Sequence, residues 1–353
     1  MKIHFFTKRD EKTGSSRQRA FLVAAEIFNR GVAADVHRPS AALMSETPWP
    51  RKLTLIWSHV VGLTEIKQDD VLYLQRPIGS KYLVVLIVIY KFFFRRKMIF
   101  DMDDAVFRYM PRRTIFFTKL CDAIVVGSHS LYDWAKQYNP NVFIIPTSVH
   151  LEKYKEFTRD YRIKNEKLII GWIGGANYHY ENLKLLVPVF QQLVTDSIPI
   201  KFILIGASGN QKVYDLFNNI RGFDVEFIDA LDWTNPTAAP SQIQRLDIGL
   251  MPLTDEISTR YKCAFKAIEY MACGVVTIVS PVGENTYLIQ DGVNGFLACD
   301  TEEWVKKIKH VYQHPEISAN LGRNAQNTIK ERYSFDAIIP QVIEICQKLT
   351  AKS

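Results

Sequence analysis

Short, almost wholly apolar runs alternate with longer amphipathic segments along most of the chain. Continuous apolar runs separated by helical segments are typical of parallel β-strands that are covered by helices on both faces. In the first half, the predicted strands are Ile3–Thr7, Val71–Gln75, Met98–Phe100, Ala123–Val126 and Val142–Ile145. The predicted helices between them include Ser16–Phe28 and Ser130–Gln137.

The same alternation starts again after a polar stretch, Pro146–Asn165, which we interpret as a linker. The second set of predicted strands is Leu168–Ile173, Lys201–Ile205, Val225–Ile228, Ile248–Met251 and Val276–Val279. The helices predicted to accompany these strands are Asn182–Thr195, Gln211–Asn218, Phe265–Ala272 and Thr301–Tyr312. Two successive doubly wound α/β domains, 1–155 and 156–334, are the simplest arrangement. A last helix within 335–353 packs back on one of them, with the first domain as our expectation.

Composition adds an uneven charge to this picture. The 353 residues are 47% hydrophobic and 23% charged, as is usual for globular proteins. Residues 1–150 carry 22 Lys and Arg against 13 Asp and Glu, whereas residues 151–353 carry 22 against 24. A basic first half favours an anionic partner, either a membrane surface or a lipid-phosphate acceptor, over a merely solvated surface. Nucleic acid is not expected, because zinc-finger and aromatic RNA-binding patterns are absent.

The cysteines and the longest apolar stretch bear on location. Five scattered cysteines without metal-binding spacing fit a reducing compartment, and the chain opens on a strand rather than a signal peptide. The stretch Tyr82–Phe94 is well short of the roughly 18–20 residues that span a bilayer. We favour a buried element of the first domain; the alternative is a surface helix at a membrane interface, with Arg95–Lys97 on lipid phosphates. We therefore expect a cytoplasmic protein, with contact to the inner face of the membrane as a further expectation.

In open parallel sheets, ligands bind beyond the carboxyl ends of the strands. After the first strand, Gly14 permits a tight turn, Ser15 or Ser16 is suited to cap a helix, and Arg17 and Arg19 add cations. This combination predicts an anion site at a helix N-terminus, although capped turns are common in such domains.

A cluster of carboxylates, Asp101, Asp103 and Asp104, follows the strand that ends at Phe100. Clustered carboxylates are unfavourable unless they are solvated or bind a cation or hydroxyl groups. We interpret them as contacts to a sugar or an acceptor; a metal site and helix N-capping remain alternatives.

The second half offers glycines and lysines at its strand ends. Gly174 and Gly175 allow close approach of a phosphate to the backbone, but a dinucleotide-binding GxGxxG pattern is missing. Lys262 and Lys266 lie four apart near a predicted helix start, where their mutual repulsion would be reversed by a bound diphosphate. The alternative is that Lys266 pairs with Glu269 on a solvated face.

A turn after the strand that ends at Val279 is a further candidate for binding the same anion. Val282, Gly283 and Asn285 lead from this strand end into a helix, so that their backbone N–H groups can face a phosphate.

The segment Lys262–Gly274, followed by Ser280–Gly283 and Asp291–Phe296, resembles the donor-binding half of glycosyltransferase family 4. Members of that family are retaining enzymes of the GT-B fold. The resemblance implies two Rossmann-like doubly wound parallel-sheet domains facing across a cleft, with a nucleotide-sugar donor on the second domain and the acceptor on the first.

The resemblance also implies roles for residues. Glu269 matches the second glutamate of the family's E-x7-E motif, which holds the ribose; Tyr261 replaces the first, which contacts the donor sugar, so the sugar stays open. The other implied donor-binding residues are Arg260, Lys262, Lys266, Gly174, Gly175, Val282, Gly283 and Asn285. On the acceptor side the candidates are Gly14, Ser15, Ser16, Arg17 and Arg76, with Asp101, Asp103 and Lys262 as catalytic candidates.

Our hypothesis is transfer of a sugar, with retention, from a UDP- or GDP-sugar to a hydroxyl group of a glycan or lipid-linked saccharide in surface polysaccharide biosynthesis. Neither a metal nor a cofactor is expected. The alternatives are a non-catalytic scaffold that binds sugar nucleotides or polysaccharide, and an NAD-dependent sugar-nucleotide epimerase.

Overall fold

A computed structural model describes residues 1–38, 57, 59–78, 80–163 and 165–351. The chain divides into two compact units. The first consists of Met1–Ser148, Tyr261–Cys263 and Phe335–Ser353, and the second of Val149–Arg260 and Ala264–Ser334.

The first unit contains a six-stranded parallel sheet in the order β2-β1-β3-β4-β5-β6. Its strands are β1 Lys2–Thr7, β2 Ala33–His37, β3 Val71–Gln75, β4 Lys97–Met102, β5 Ala123–Val126 and β6 Val142–Ile144. The five predicted strands are all present. The edge strand β2 was not predicted, because it is only partly buried and includes Asp35 and His37 instead of a continuous apolar run.

Helices flank this sheet. The first begins at Gly14, passes through a π-helical turn at Arg17–Phe21 and continues to Asn29. The others are 59–65, Lys81–Phe93, Pro111–Leu120, His129–Lys136 and Phe335–Thr350, with a 3₁₀ turn at Val106–Arg108.

The second unit repeats the architecture with the strand order β12-β11-β10-β7-β8-β9. Its strands are β7 Leu168–Ile173, β8 Ile200–Ile205, β9 Asp224–Ile228, β10 Ile248–Met251, β11 Val276–Val279 and β12 Phe296–Leu297. Its helices are Leu151–Lys155, Tyr180–Lys184, Leu186–Thr195, Gln211–Asn218, Ala238–Ile243, Ile257–Arg260, Phe265–Ala272, Asn285–Leu288, Thr301–Gln313 and Glu316–Thr328, with a 3₁₀ turn at Ala176–Tyr178 and a π-helical turn at Ile329–Tyr333. The strand β12 is two residues long, which is too short for a recognisable pattern.

The stretch Pro146–Asn165 is more ordered than a linker, which corrects our interpretation of its polar sequence. It contains the helix Leu151–Lys155, and Arg159 beyond it is 9% exposed. The Arg159 guanidinium pairs with Asp247 at 2.6 Å, while its backbone N–H donates to the Cys273 carbonyl at 2.8 Å. These polar residues therefore anchor the segment to the second unit.

The helix Phe335–Thr350 returns to the first unit. Its buried side chains form part of the core on one face of the first sheet, beside the helix Leu22–Asn29. An ion pair at 2.5 Å between Arg30 and Asp336 joins the same two helices at the surface.

The helix Lys81–Phe93 is buried along only one narrow stripe, at Leu83 and Ile87. Val84, Leu86 and Tyr90 pack partly buried against the same core, whereas the opposite face is exposed and Phe93 reaches 81%. Our favoured interpretation of this stretch as a buried element is therefore right for one face of the helix and wrong for the other. None of the helices in the described part of the chain combines the length and the apolar character that crossing a bilayer requires.

Candidate functional site

In the second unit, β7 leads into a glycine loop that lies against a lysine. Gly174 has a φ of 144°, which residues with a side chain rarely adopt. A Cβ atom built on Gly174 would lie 2.5 Å from Cε of Lys266. The fold therefore needs glycine here, both for the backbone conformation and for the close passage of the lysine.

Lys266 is held at this loop by aromatic neighbours. Its Nζ lies 3.1 Å from Nε2 of His179 and 5.3 Å from the centroid of the Trp172 ring. Asn182 contacts the other ring nitrogen of His179 at 3.0 Å and so fixes the imidazole. An ammonium group beside glycine backbone at a strand end is suited to bind a diphosphate. His179 was not predicted, because it follows Gly174 by five residues and does not lie directly at a strand end.

The helix that carries Lys266 begins at Phe265, as predicted. Ala264 has a φ of 54° and precedes the first helical residue, Phe265. Lys262 therefore lies outside the helix, and its segment Tyr261–Cys263 groups with the first unit. Lys266 adjoins the glycine loop, whereas the expected contact of Lys262 with the donor diphosphate stays a prediction.

Glu269 lies one turn further along the same helix. Its side chain is nearly buried, and its Oε1 accepts a hydrogen bond of 3.1 Å from the Tyr154 hydroxyl. A carboxylate fixed in this way is suited to accept hydrogen bonds from vicinal hydroxyl groups.

The turn after β11 uses part of its hydrogen-bonding capacity internally. The N–H of Val282 donates to Ser280 at 2.8 Å and that of Asn285 to Val282 at 3.3 Å, so these amides do not face a phosphate as expected. The Asn285 side chain donates to Ser280 at 2.9 Å and closes the turn. The N–H of Gly283 makes no hydrogen bond with any residue that the structure describes, and is the amide this turn can offer.

Glycine is required at position 283. Its φ is 58°, and a Cβ atom there would lie 2.4 Å from the carbonyl oxygen of Arg260. The Arg260 guanidinium itself forms a two-bond ion pair with Asp255 at 2.6 and 3.0 Å, on an exposed surface. Its expected contact with the donor stays a prediction.

In the first unit, Asp101 is part of the core and not of an open site. Its carboxylate is completely buried and pairs with the Arg19 guanidinium at 2.5 and 3.1 Å. The Tyr73 hydroxyl donates to it at 2.7 Å, and burial raises the pKa of Tyr73 well above 10, so the phenol stays protonated. The structure therefore contradicts contact of Asp101 with a substrate, since all of these groups are inaccessible.

Asp103 and Arg76, both predicted, come together at the ends of β3 and β4. The Arg76 Nε lies 2.7 Å from Oδ1 of Asp103, and its backbone has a φ of 67°. A strained backbone of this kind is frequent at functional sites. Because a guanidinium already occupies the carboxylate, a metal ion is disfavoured at Asp103. Within the described part of the chain, Asp104 accepts a hydrogen bond from the N–H of Ala105 and lies 4.0 Å from the Arg76 guanidinium, so the N-capping alternative is not realised as a helix cap.

The glycine–serine turn after β1 folds differently from its prediction. The helix N-cap is Thr13, and Gly14, Ser15 and Ser16 already belong to the first turn. The Ser16 hydroxyl donates to Oε1 of Gln75 at 3.3 Å, inside the core. Arg17 donates to the carbonyl oxygen of Glu11 at 3.2 Å and so stabilises the preceding loop.

Tyr261, which stands where the family motif has a glutamate, packs into an aromatic cluster of the first unit. Its ring lies edge-on to Phe107, with centroids 5.0 Å apart, and Phe107 stacks on Trp134 at 4.4 Å. The Ser128 hydroxyl donates to the Tyr261 carbonyl at 3.4 Å. The substitution thus replaces a charged group by a packed ring.

Known proteins resemble parts of this chain. Residues 167–314 match the family model of glycosyl transferases group 1. The alpha-monoglucosyldiacylglycerol synthase of Acholeplasma laidlawii is 22% identical over 227 residues, which are 61% of this chain and 55% of that protein. The trehalose synthase of Pyrococcus horikoshii is 28% identical over 94 residues, 27% of this chain and 23% of that protein. The matched regions thus span about half and about a quarter of these relatives.

Solved structures extend the similarity to the whole fold. HepE from Anabaena in complex with UDP has a TM-score of 0.71 at 16% identity, with 99% of this chain and 100% of that chain covered. The sucrose-phosphate synthase of Thermosynechococcus elongatus has a TM-score of 0.70 at 13% identity and covers both chains completely. Residues 167–314 are thus similar to group 1 glycosyl transferases, and the two six-stranded parallel sheets have the GT-B fold of these solved structures.

Proposed function

We propose that this protein transfers a sugar from a nucleoside-diphosphate sugar to an acceptor hydroxyl group. The observation that carries the proposal is the position of Lys266, which crosses the Gly174 loop within the region that matches group 1 glycosyl transferases. A lysine at a glycine loop compensates the charge of a diphosphate leaving group, which is the main electrostatic demand of this reaction.

Each residue around Lys266 has a role in this proposal. The N–H groups of Gly175 and Gly283 bind phosphate oxygens, whereas that of Gly174 donates to the Ile205 carbonyl at 2.9 Å. Glu269 accepts hydrogen bonds from the ribose hydroxyls. Because Lys266 supplies the positive charge, the proposed reaction requires neither a metal nor a cofactor. We further propose retention of configuration, in line with the family resemblance.

UDP is the first donor nucleotide to test, since HepE, a structural neighbour, binds it. For the acceptor we propose a glycan or a lipid-linked saccharide in surface polysaccharide biosynthesis. The name of the A. laidlawii relative, a synthase of a glucosylated diacylglycerol, supports an acceptor at a lipid surface.

We also propose that the first unit contacts an anionic membrane from the cytoplasmic side. The apolar face of Lys81–Phe93 supports this contact, with Phe92 and Phe93 exposed by 66% and 81%. Arg95 and Arg96 follow directly, and cations beside an apolar helix face are typical of interfacial helices. The net positive charge of residues 1–150 also favours contact with an anionic membrane.

Donor binding is tested with two variants that separate phosphate from ribose. Lys266→Ala is expected to weaken UDP binding about 10- to 100-fold, as for loss of a charge-assisted hydrogen bond, while binding of uridine is unchanged. Glu269→Gln is expected to weaken both ligands. Isothermal titration calorimetry with UDP and uridine measures the effects, and transfer assays with UDP- and GDP-sugars follow.

Lys212→Ala is the matched control, because Lys212 is an exposed lysine of the same unit. Unchanged UDP affinity in both site variants would overturn the site assignment. Binding of UDP without transfer from any nucleotide sugar would favour the scaffold alternative, and binding of NAD would favour an epimerase.

A further inference from the structure

Two histidines and two carboxylates meet at the edge of the first sheet. In the parallel pairing of β1 with β2, His4 is opposite Asp35 and Phe6 is opposite His37. Side chains two residues apart on a strand share a face, so His4, Asp35 and His37 lie on the same face of the sheet. Glu65, at the end of the helix 59–65, completes the group. We name these four residues the histidine–carboxylate cluster.

The distances within this cluster suit metal coordination. Nδ1 of His4 lies 3.0 Å from Nε2 of His37, and one ligand atom from each of the four residues lies within 4.8 Å of all the others. A tetrahedral zinc ion with bonds of about 2.0–2.2 Å holds its ligand atoms roughly 3.3–3.6 Å apart. The two nitrogens are already at nearly that separation. Glu65 is exposed, and the part-exposed Asp35 would exchange its ion pair with Lys2 for the metal.

A further carboxylate orients the buried histidine. Nε2 of His4 lies 3.5 Å from Oδ2 of Asp70, which is itself fixed by the backbone N–H groups of Lys2 at 2.7 Å and Lys67 at 2.9 Å. His4 is completely buried, and its Nε2 makes no hydrogen bond within the described residues. Histidine ligands of metals usually direct their second nitrogen to a carboxylate in this way. Asp70 thereby turns Nδ1 of His4 towards His37.

The charges of the cluster are compatible with a cation. Lys2 is a cation beside the cluster and pairs with Asp35 at 2.5 Å. Two imidazoles and two carboxylates form a ligand set typical of zinc.

We propose that His4, Asp35, His37 and Glu65 bind one divalent transition-metal ion, with zinc as the best fit. The ion would join the edge strand β2 to β1 and to the helix 59–65, and so stabilise the edge of the sheet. This structural site is independent of the proposed transfer reaction, which uses residues of the second unit for its donor. The site was not predicted, because its ligands are separated by about 30 residues along the chain and only the strand register brings them together.

The test is metal content and affinity in the full chain, prepared without a histidine tag. After dialysis against zinc, the protein is expected to retain one equivalent by mass spectrometry of the elements. His37→Asn and Glu65→Gln are expected to lower the zinc affinity at least 10-fold, and Asp70→Asn about 10- to 100-fold through the orientation of His4. Because Glu65 is exposed, its variant tests the site without disturbing the core.

His314→Asn is the matched control, since His310 and His314 form a second histidine pair, with centroids 4.9 Å apart, on the second unit. The proposal would be overturned if His314→Asn lost its zinc while His37→Asn retained it. It would also be overturned if the unaltered chain retained less than roughly 0.1 equivalent of zinc, which is background. UDP affinity is measured on the same variants and is expected to equal that of the unaltered chain. Failure of the metal proposal can then be distinguished from failure of the proposed donor site.

Discussion

Asp101 lies in β4 and Asp103 directly follows this strand, but the fold uses their carboxylates in different ways. Asp101 points into the core and neutralises Arg19, whereas Asp103 remains 8% exposed and pairs with the strained Arg76. Alternation of side chains along a strand does not distinguish them, because both residues have the same parity. What separates them is the partner: a buried arginine requires a buried carboxylate.

Asp101→Ala is expected to lower the free energy of unfolding by about 3–5 kcal/mol, since it leaves the Arg19 guanidinium buried without its counter-charge. Urea denaturation followed by circular dichroism measures this change. Asp104→Ala, at a partly exposed carboxylate of the same cluster, is the control and is expected to stay within about 0.5 kcal/mol. A variant Asp101→Ala with unaltered stability but abolished transfer would show that our structural role for this residue is wrong.

Residue types at strand ends identified several positions that the structure brings together. Gly174 and Lys266 adjoin in the second unit, and Arg76 and Asp103 in the first. The expected phosphate contacts of the Val282 and Asn285 amides are wrong, because local hydrogen bonds use both of these N–H groups. Such backbone details are not encoded in the spacing of charged residues.

The helix Lys81–Phe93 shows what periodicity leaves undetermined at the scale of an element. Apolar residues occupy almost every position, so the sequence alone does not reveal which stripe packs inward. The structure buries Leu83 and Ile87, four residues apart, and leaves the opposite stripe exposed. The edge strands β2 and β12 were not predicted, because they lack a continuous apolar run. Strand β2 contains polar residues, and strand β12 is only two residues long.

The exposed stripe gives a prediction for membrane binding. The double variant Phe92→Ser and Phe93→Ser is expected to reduce binding to vesicles of phosphatidylglycerol and phosphatidylcholine at least 10-fold, since each buried phenylalanine contributes about 1.5–3 kcal/mol. Co-sedimentation measures the bound fraction. Phe28→Ser is the control, because Phe28 is 67% exposed on another helix of the same unit.

Charge is tested separately from apolar contact. Arg95→Gln is expected to weaken binding to anionic vesicles by about 1 kcal/mol and to leave the weak binding to pure phosphatidylcholine unchanged. Equal binding of the unaltered protein to both kinds of vesicle, or full binding by the double phenylalanine variant, would contradict the proposed membrane contact.

At the scale of the whole molecule, the order of the chain differs from the order in space. The domain pattern predicted two consecutive blocks, and the sheets follow it closely. The first unit nevertheless contains Tyr261–Cys263 and the helix that begins at Phe335, both distant in sequence. Apolar periodicity predicted that this helix exists. The pattern does not determine which of the two sheets the helix covers, because that depends on which sheet has an uncovered face in the folded chain.

Removal of residues 335–353 is expected to unfold the first unit. Five apolar side chains of the helix are buried at Phe335, Ile338, Ile339, Val342 and Ile345. At about 1.5–3 kcal/mol each, their loss is comparable to the roughly 5–15 kcal/mol that stabilises a typical domain. Limited proteolysis should then cleave the first unit rapidly while the second unit, which keeps its own core, persists.

Removal of 351–353 alone is the control and should leave the cleavage pattern unchanged. Ile339→Ala should lower the free energy of unfolding by about 2–5 kcal/mol. A truncated chain whose first unit resists protease as well as the full chain would show that the helix is dispensable, because a covering helix that contributes these contacts cannot be removed without exposing the sheet.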